Sequence, residues 1–370
     1  MKKLLLVAGG KNGTLLLAPL YEAFKKNSSY KTAVLLAATE GTEPISRDLA
    51  VSFNIGGEGI HTISLLKGTP IQQLAAVMTS LEAILLSEQP DIVLVCGSDN
   101  VAFGATVTAA KLGLPVAAVD AGLRSYDRSD SEEINRMVID AMADIHFVSE
   151  HSGEYNLINE GVPDEKVFYC GNLTIDTLVR LMEQRNKEVI SDNHDLLPKK
   201  YMLVLLNPAM LSTGKKQFEM ILRLLKEISS QITIVMLSFA GFERLIKEHE
   251  LNEIFLEIEN LEVIEQPAHT VLLTLLRDSR LLLTDTEELQ AEATVMNVPC
   301  LTMMETSTRP STIEIGTNIL VGLNEDDIRS SIYSILDSDL HHHVTSRSKI
   351  PEKWDGTSAD RIVALLEQLV

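Results

Sequence analysis

The stretch "DIVLVCGSDNVAFGATVTAAKLGLPVAAVDAG", residues 91–122, decides the fold class. Two apolar runs, DIVLVCG (91–97) and LPVAAVDAG (114–122), flank a segment of helical character. Both runs are continuous rather than alternating, so each reads as a strand covered on both faces, and strand–helix–strand units of this length build parallel sheets. Working outward, the first half adds KLLLVAG (3–9), KTAVLLAA (31–38), ADIHFVS (143–149) and KVFYCG (166–171). The second half repeats the alternation with YMLVLLN (201–207), ITIVML (232–237), LEVIEQ (261–266), RLLLTD (280–285), VPCLTM (298–303) and NILVG (318–322). Two series of this kind predict an α/β chain of two Rossmann-like, doubly wound parallel-sheet domains.

A length of 370 residues suits two domains of roughly 100 to 200 residues each. The polar stretch "LMEQRNKEVISDNHDLLPKKY" (181–201), with Pro198 before the next strand, is the expected linker. The expected division is therefore 1–180, a linker over 181–200, 201–355, and a final helix over 356–370 that packs back on the N-terminal domain. Ligands of such folds bind outside the carboxyl ends of the strands, which places the expected site in a cleft between the domains.

The chain is 45% hydrophobic and 23% charged, the range of ordinary globular proteins. Its formal net charge of −20, from 52 acidic against 32 basic side chains, argues against nucleic acid and anionic membranes as partners. Cys96, Cys170 and Cys300 each lie in or beside an apolar strand-like run without metal-ligand spacing, and read as buried thiols of a reducing compartment. The opening MKKLLLVAGG reads as a first strand. No apolar stretch reaches the ~18 residues of a membrane span, so a cytoplasmic protein is expected. Adjacent side chains on a helix diverge, so His341-His342-His343 is not expected to hold a metal. No cofactor is expected.

Two polar stretches could carry chemistry. In "VDAGLRSYDRSDSEEINR" (119–136), Asp120, Arg124, Glu132, Glu133 and Arg136 fall within one strand-to-helix connection. Such connections hold ligand and catalytic groups, though a salt-bridged surface loop with Asp130 or Ser131 capping the next helix fits equally. In "LLLTDTEELQAEA" (281–293), a strand runs into a helix start, a place suited to an anion. Glu287 and Glu288 occupy that place, where they repel phosphate and offset the helix dipole. The run STGKK, with Lys215 and Lys216, lacks the upstream glycine of a phosphate loop and is expected to cap a helix.

The order PDIVLVCGSD, GLPVAAVDAGLR, SEEINR, DIHFVSE, NEGVPDEKVFYCGNLTIDTL, LLLTDTEELQAEA, VPCLTMMETSTRPSTIEIGT and NILVG resembles the non-hydrolysing UDP-N-acetylglucosamine 2-epimerase family over nearly the whole chain. The resemblance implies a glycosyltransferase-B-like pair of domains, usually a homodimer, with a UDP-sugar in the interdomain cleft, serving cell-envelope sugar synthesis. It implies inversion at C2 of the sugar by proton removal, anti elimination of UDP and reprotonation on the other face. Carried over residue by residue, Asp120 stands where the family has the glutamate of its EAGLR motif, and Arg124 and Glu132 match directly. Glu292 matches a carboxylate that holds the ribose hydroxyls, and Arg309 an arginine at the nucleotide site.

Other positions depart from the pattern. The first-loop GTRPE signature appears as Gly9-Gly10-Lys11-Asn12-Gly13, leaving Lys11 as a point charge, and the lysine that follows it becomes Leu16. The HGD motif reads Cys96-Gly97-Ser98, with Asp99 one position late as the substitute acid. The catalytic histidine aligns with Asn207, which cannot transfer a proton near neutral pH. Thr286, Glu287 and Glu288 replace a serine and two glycines, and Gly41-Thr42 replace the Gln-His pair of the allosteric site. The catalytic candidates are Asp99, Asp120 and Glu132; the nucleotide-binding candidates are Lys11, Arg124, Asn207, Thr286, Glu292 and Arg309. Three functions fit: an impaired or non-catalytic relative that binds or regulates, paired with itself or with an active epimerase or glycosyltransferase; an active 2-epimerase with substituted residues; or a different activity on a ligand without phosphate.

Overall fold

Continuous apolar runs become strands because both faces of a central parallel sheet are covered by helices. The computed structural model describes residues 1–39, 43–65, 68–185, 196–208, 214–239, 241–265, 267–287, 289–337 and 339–369. Residues 1–184 with 352–370 form one compact unit, and residues 185–351 form a second.

In the first unit the order is β1 (Lys2–Gly9), α1 (Gly10–Lys26), β2 (Tyr30–Thr39), α2 (Arg47–Ser52), β3 (Ile60–Leu65), α3 (Pro70–Glu88), β4 (Ile92–Cys96) and α4 (Asn100–Lys111). It continues with β5 (Val116–Val119), α5 (Ser131–Met142), β6 (Ile145–Val148), α6 (His151–Asn159), β7 (Val167–Tyr169) and α7 (Leu173–Arg185). All pairings are parallel, in the order β3-β2-β1-β4-β5-β6-β7. Alternate residues of β1 serve opposite faces. Leu4 and Leu6 join Leu17, Leu20 and Phe24 of α1, whereas Leu5 and Val7 join Val77 and Leu81 of α3 and Ala105 of α4. β3 has no counterpart among the apolar runs of the sequence, because IHTISL is an edge strand that buries only Ile63 and Leu65.

The second unit runs β8 (Tyr201–Leu205), α8 (Lys215–Ile228), β9 (Thr233–Ser238), α9 (Phe242–Glu248), α10 (Asn252–Leu256), β10 (Leu261–Glu265), α11 (His269–Asp278) and β11 (Leu281–Thr284). Then come α12 (Gln290–Val295), β12 (Cys300–Thr302), α13 (Pro310–Glu314), β13 (Asn318–Leu320), α14 (Glu325–Leu336) and α15 (Asp339–Arg347). Its parallel sheet has the order β10-β9-β8-β11-β12-β13, around a core in which Phe218, Ile221 and Leu225 of α8 meet Met202 and Val204 of β8. The chain then returns to the first unit, where α16 (Ser358–Leu369) packs on α1 through Ile362, Val363 and Leu366.

Strand order reverses direction of growth between β1 and β4 in one sheet and between β8 and β11 in the other, and such switch points are where doubly wound sheets bind ligands. Cys96, Cys170 and Cys300 are free and buried. Among the described residues no helix is long and apolar enough to cross a membrane.

Candidate functional site

The first unit gathers its polar groups at the carboxyl ends of β1, β4, β5 and β6. Gly9 and Gly10 end β1 and open α1, and Lys11 follows on the exposed start of that helix. Asp99 lies just after β4, where its Oδ1 accepts the backbone N–H groups of Val101 and Ala102, both at 2.9 Å, and so caps α4. Desolvation pushes its carboxyl up to about 6, against the pull of those two amides. A Cβ on Gly9 would stand 2.3 Å from Asp99 Oδ2, so only glycine lets the β1 turn approach this carboxylate. The substitute acid is thereby a helix cap, its geometry set by α4.

Ser98, in the position before it, donates its hydroxyl to Glu132 Oε2 at 3.0 Å. Glu132 stands in the first turn of α5, half exposed and 3.8 Å from Arg136. Asp130 caps this helix by accepting the N–H of Glu132 at 2.9 Å. Asn135 ties α5 to the same loop by donating to the Ser98 carbonyl at 2.9 Å. Asp120 ends β5 with φ of +64°, a left-handed backbone rare outside glycine, and accepts a short hydrogen bond from the Ser149 hydroxyl at the end of β6. Ser98 and Asp120 thus follow the carboxyl ends of the neighbouring strands β4 and β5, with Glu132 of α5 bonded to Ser98.

Arg124 is tied into the first unit. Its side chain is 1% exposed and makes four hydrogen bonds: Nη1 to Asp140 at 2.7 Å and to the Leu123 carbonyl at 2.7 Å, Nε and Nη2 to the two oxygens of Glu160 at 2.8 and 2.6 Å. Through these bonds the guanidinium braces the loop after β5. Arg136 and Glu133 add a second brace, with Glu133 accepting from Arg136 Nε and from the N–H groups of Ser125 and Tyr126. These bonds hold Glu133 below the usual carboxylate range although burial opposes them.

The second unit presents a separate cluster after β8, β11 and β12. Asn207, exposed after β8, donates its backbone N–H to Asp285 Oδ1 at 2.7 Å. Burial raises the Asp285 carboxyl, and that same N–H lowers it. Thr286 donates its N–H to Thr284 Oγ1 at 3.2 Å and accepts from Gln290 Nε2 at 3.4 Å. Glu287 does not act at a helix terminus as expected. α12 begins only at Gln290 with Leu289 as its N-cap, and the Glu287 carboxylate instead accepts the backbone N–H and the hydroxyl of Thr308 in short hydrogen bonds.

Behind that contact, Ser307 Oγ donates to Gln290 Oε1 at 2.9 Å and accepts the Arg309 N–H at 3.1 Å. Arg309 is the N-cap residue of α13. Glu292 lies in α12 and is buried. Lys215 and Lys216 are the first residues of α8, whose N-cap is Gly214 without a side-chain hydrogen bond, and Lys215 Nζ is 3.7 Å from Glu250. Glu288, Gly41 and Thr42, and the side chain of His341, lie outside the described residues.

Thr308, Ser149 and Ser98 were not among the expected site residues. Their partners are 21, 29 and 34 positions away, a separation that no motif spacing encodes.

The family profile described as UDP-N-acetylglucosamine 2-epimerase matches residues 22–367. A UDP-N-acetylglucosamine 2-epimerase of Methanococcus maripaludis is 30% identical over 291 residues, covering 76% of this chain and 78% of the relative. The enzyme of that name from Salmonella typhimurium is 28% identical over 377 residues, with 99% and 98% covered. Among solved structures, the UDP-GlcNAc 2-epimerase of Methanocaldococcus jannaschii in complex with UDP-GlcNAc and UDP superimposes with a TM-score of 0.87 at 27% identity, covering 99% of each chain. Two Rossmann-like domains of the glycosyltransferase-B class, and a family profile that spans residues 22–367, carry the conclusion that the chain belongs to the UDP-N-acetylglucosamine 2-epimerase family.

Proposed function

We propose that this chain is a nucleotide-sugar epimerase relative of cell-envelope sugar metabolism whose C2 chemistry is impaired, and that it serves as a binding or regulatory member of the family. The observation that carries this reading is the placement of Asp99. Inversion at C2 needs a base positioned to take a proton and an acid to return one on the other face. Asp99, the substitute carboxylate after β4, accepts two amides of α4 instead, and asparagine at position 207 offers no proton. Losing one general acid or base lowers a rate by about 10² to 10⁴, so two losses leave little turnover.

The relatives' names and the bound UDP-GlcNAc and UDP of the M. jannaschii structure support a UDP-sugar as the ligand class. Lys11 and Arg124 in the first unit, and Asn207, Thr286, Glu292 and Arg309 in the second, are the proposed contacts. A cytoplasmic setting belongs to the same reading, as does pairing with a second copy, an active epimerase or a glycosyltransferase. The alternative of retained epimerisation draws on Asp120 and Glu132, carboxylates that remain beside the carboxyl ends of β4 and β5.

Proton NMR of UDP-N-acetylglucosamine in D₂O with the full chain separates the two. Unchanged C2 proton intensity and no second sugar signal are expected. Deuterium incorporation at C2 would overturn the impaired reading in favour of an active epimerase.

A further inference from the structure

We propose that a cavity at the amino ends of β8, β9 and β11 is a binding site for a small phosphate-bearing anion, at the opposite end of these strands from the loop cluster described above. The cavity measures about 330 Å³ and is lined by Lys199, Lys200, Gln231, Arg280 and Asp337. That is the small end of the ~300 to 1,000 Å³ typical of ligand pockets, which suits a metabolite-sized ion. The three strands are neighbours in the sheet, so Lys199 and Lys200 before β8, Gln231 before β9 and Arg280 before β11 converge from separate stretches of chain.

Charge decides the ligand class. Three cations meet one carboxylate here, in a chain whose net charge is −20. Arg277 does not add to the imbalance, because its Nε and Nη2 both bond Asp278 at 2.8 Å. The carboxyl ends of α8, α11 and α14 meet at the cavity and offset about half a charge each, which with Asp337 still falls short of three cations. Burial holds the Lys199 ammonium below its usual value; Asp278 opposes this, and the Arg277 and Arg280 cations add to it. Burial lowers Arg280 as well. An anion among these groups relieves their mutual repulsion.

The donors are held in place by the protein itself. Lys199 has φ of +61°, and its Nζ donates to the Arg277 carbonyl at 2.6 Å and the Ser279 carbonyl at 2.9 Å, which uses two of three ammonium protons. Arg280 is anchored by its backbone N–H on the Tyr201 carbonyl at 2.7 Å and by Nη2 on the Ile335 carbonyl at 3.2 Å. A preset guanidinium beside two ammonium groups suits phosphate, since the planar fork matches its oxygens and the lysines supply point charges.

The experiment is calorimetric titration of the full chain with inorganic pyrophosphate at one fixed ionic strength. Binding to the wild type is expected, weakened about tenfold by K200Q and by R280Q, each of which removes one charged donor. D337N should tighten it about threefold, and K247Q, which removes an exposed lysine of α9, should leave it unchanged. A gain in D337N cannot come from unfolding, so it keeps the test decisive if R280Q does not fold. No wild-type binding at ~10 mM pyrophosphate would overturn the proposal, as would affinities unmoved by K200Q and D337N, or a loss in K247Q as large as that in K200Q. The C2 chemistry is decided separately by deuterium exchange, and neither outcome there bears on this site.

Discussion

Replacing Arg124 with methionine should cost the first unit about 3 to 5 kcal/mol, the range for breaking a buried ion pair from one side. The magnitude follows from unequal partners. Asp140 is 4% exposed, so losing the guanidinium at 2.7 Å leaves a buried carboxylate with the Gly122 N–H at 3.0 Å to hold it. Glu160 is 39% exposed and regains water, so its share is about 1 kcal/mol at most. A companion variant sharpens the attribution: R124M/D140N removes the orphaned charge but keeps an acceptor for Gly122, and should recover about 2 kcal/mol of the loss. Urea unfolding followed by tryptophan emission reads this directly, because Trp354 is the single tryptophan of the sequence and is buried in the first unit with its indole N–H on the Ser149 carbonyl at 2.8 Å. If R124M unfolds within about 1 kcal/mol of wild type, or the double variant is no better than the single, Arg124 is not bracing the loop through Asp140.

Asp99 gives a prediction with a definite sign. Its folded pKa of about 6 lies above the unfolded value of about 3.9, so the native state binds the proton more tightly, and its contribution to stability falls as pH rises through that window. D99N keeps the cap and lacks the titration, so its urea midpoint should lose this decline between about pH 4 and pH 6; an unchanged profile would assign the pH dependence elsewhere. Gly122 has φ of +77°, and a Cβ there would stand 2.4 Å from the Gly153 carbonyl oxygen. G122A should therefore destabilise the first unit by about 2 kcal/mol or more by the same emission assay, and a loss under about 0.5 kcal/mol would show that the β5 loop can move away from α6.

The fold was legible wherever burial is two-sided. Runs such as IVLVC and LLLT announce central parallel strands because every residue has an apolar environment. IHTISL at the edge of the first sheet carries no such run and was silent. The site was legible as positions more than as roles. Asp99 precedes a helix, and the preference of aspartate for N-caps already contained the geometry it adopts. Arg124 sits inside a matching motif, yet the direction of its side chain depends on Asp140 and Glu160, which lie on α5 and beyond the end of α6. The engagement of Glu287 by Thr308 joins two loops through space, and neither residue's neighbours along the chain foretell it.

The return of α16 to the first unit sets an order of events during synthesis. Leu17, Leu20 and Phe24 of α1 leave the ribosome before the second unit does, and they share a core with Ile362, Val363 and Leu366, which leave after it. Asn27 and Ser29 wait likewise for Glu367, and Asp176 for the N–H groups of Ser358 and Ala359. The second unit, continuous in the chain, can close while the first still has an uncovered helix. The first unit is thus completed only after the second has been translated, and until then its exposed α1 surface is what chaperones and proteases would meet.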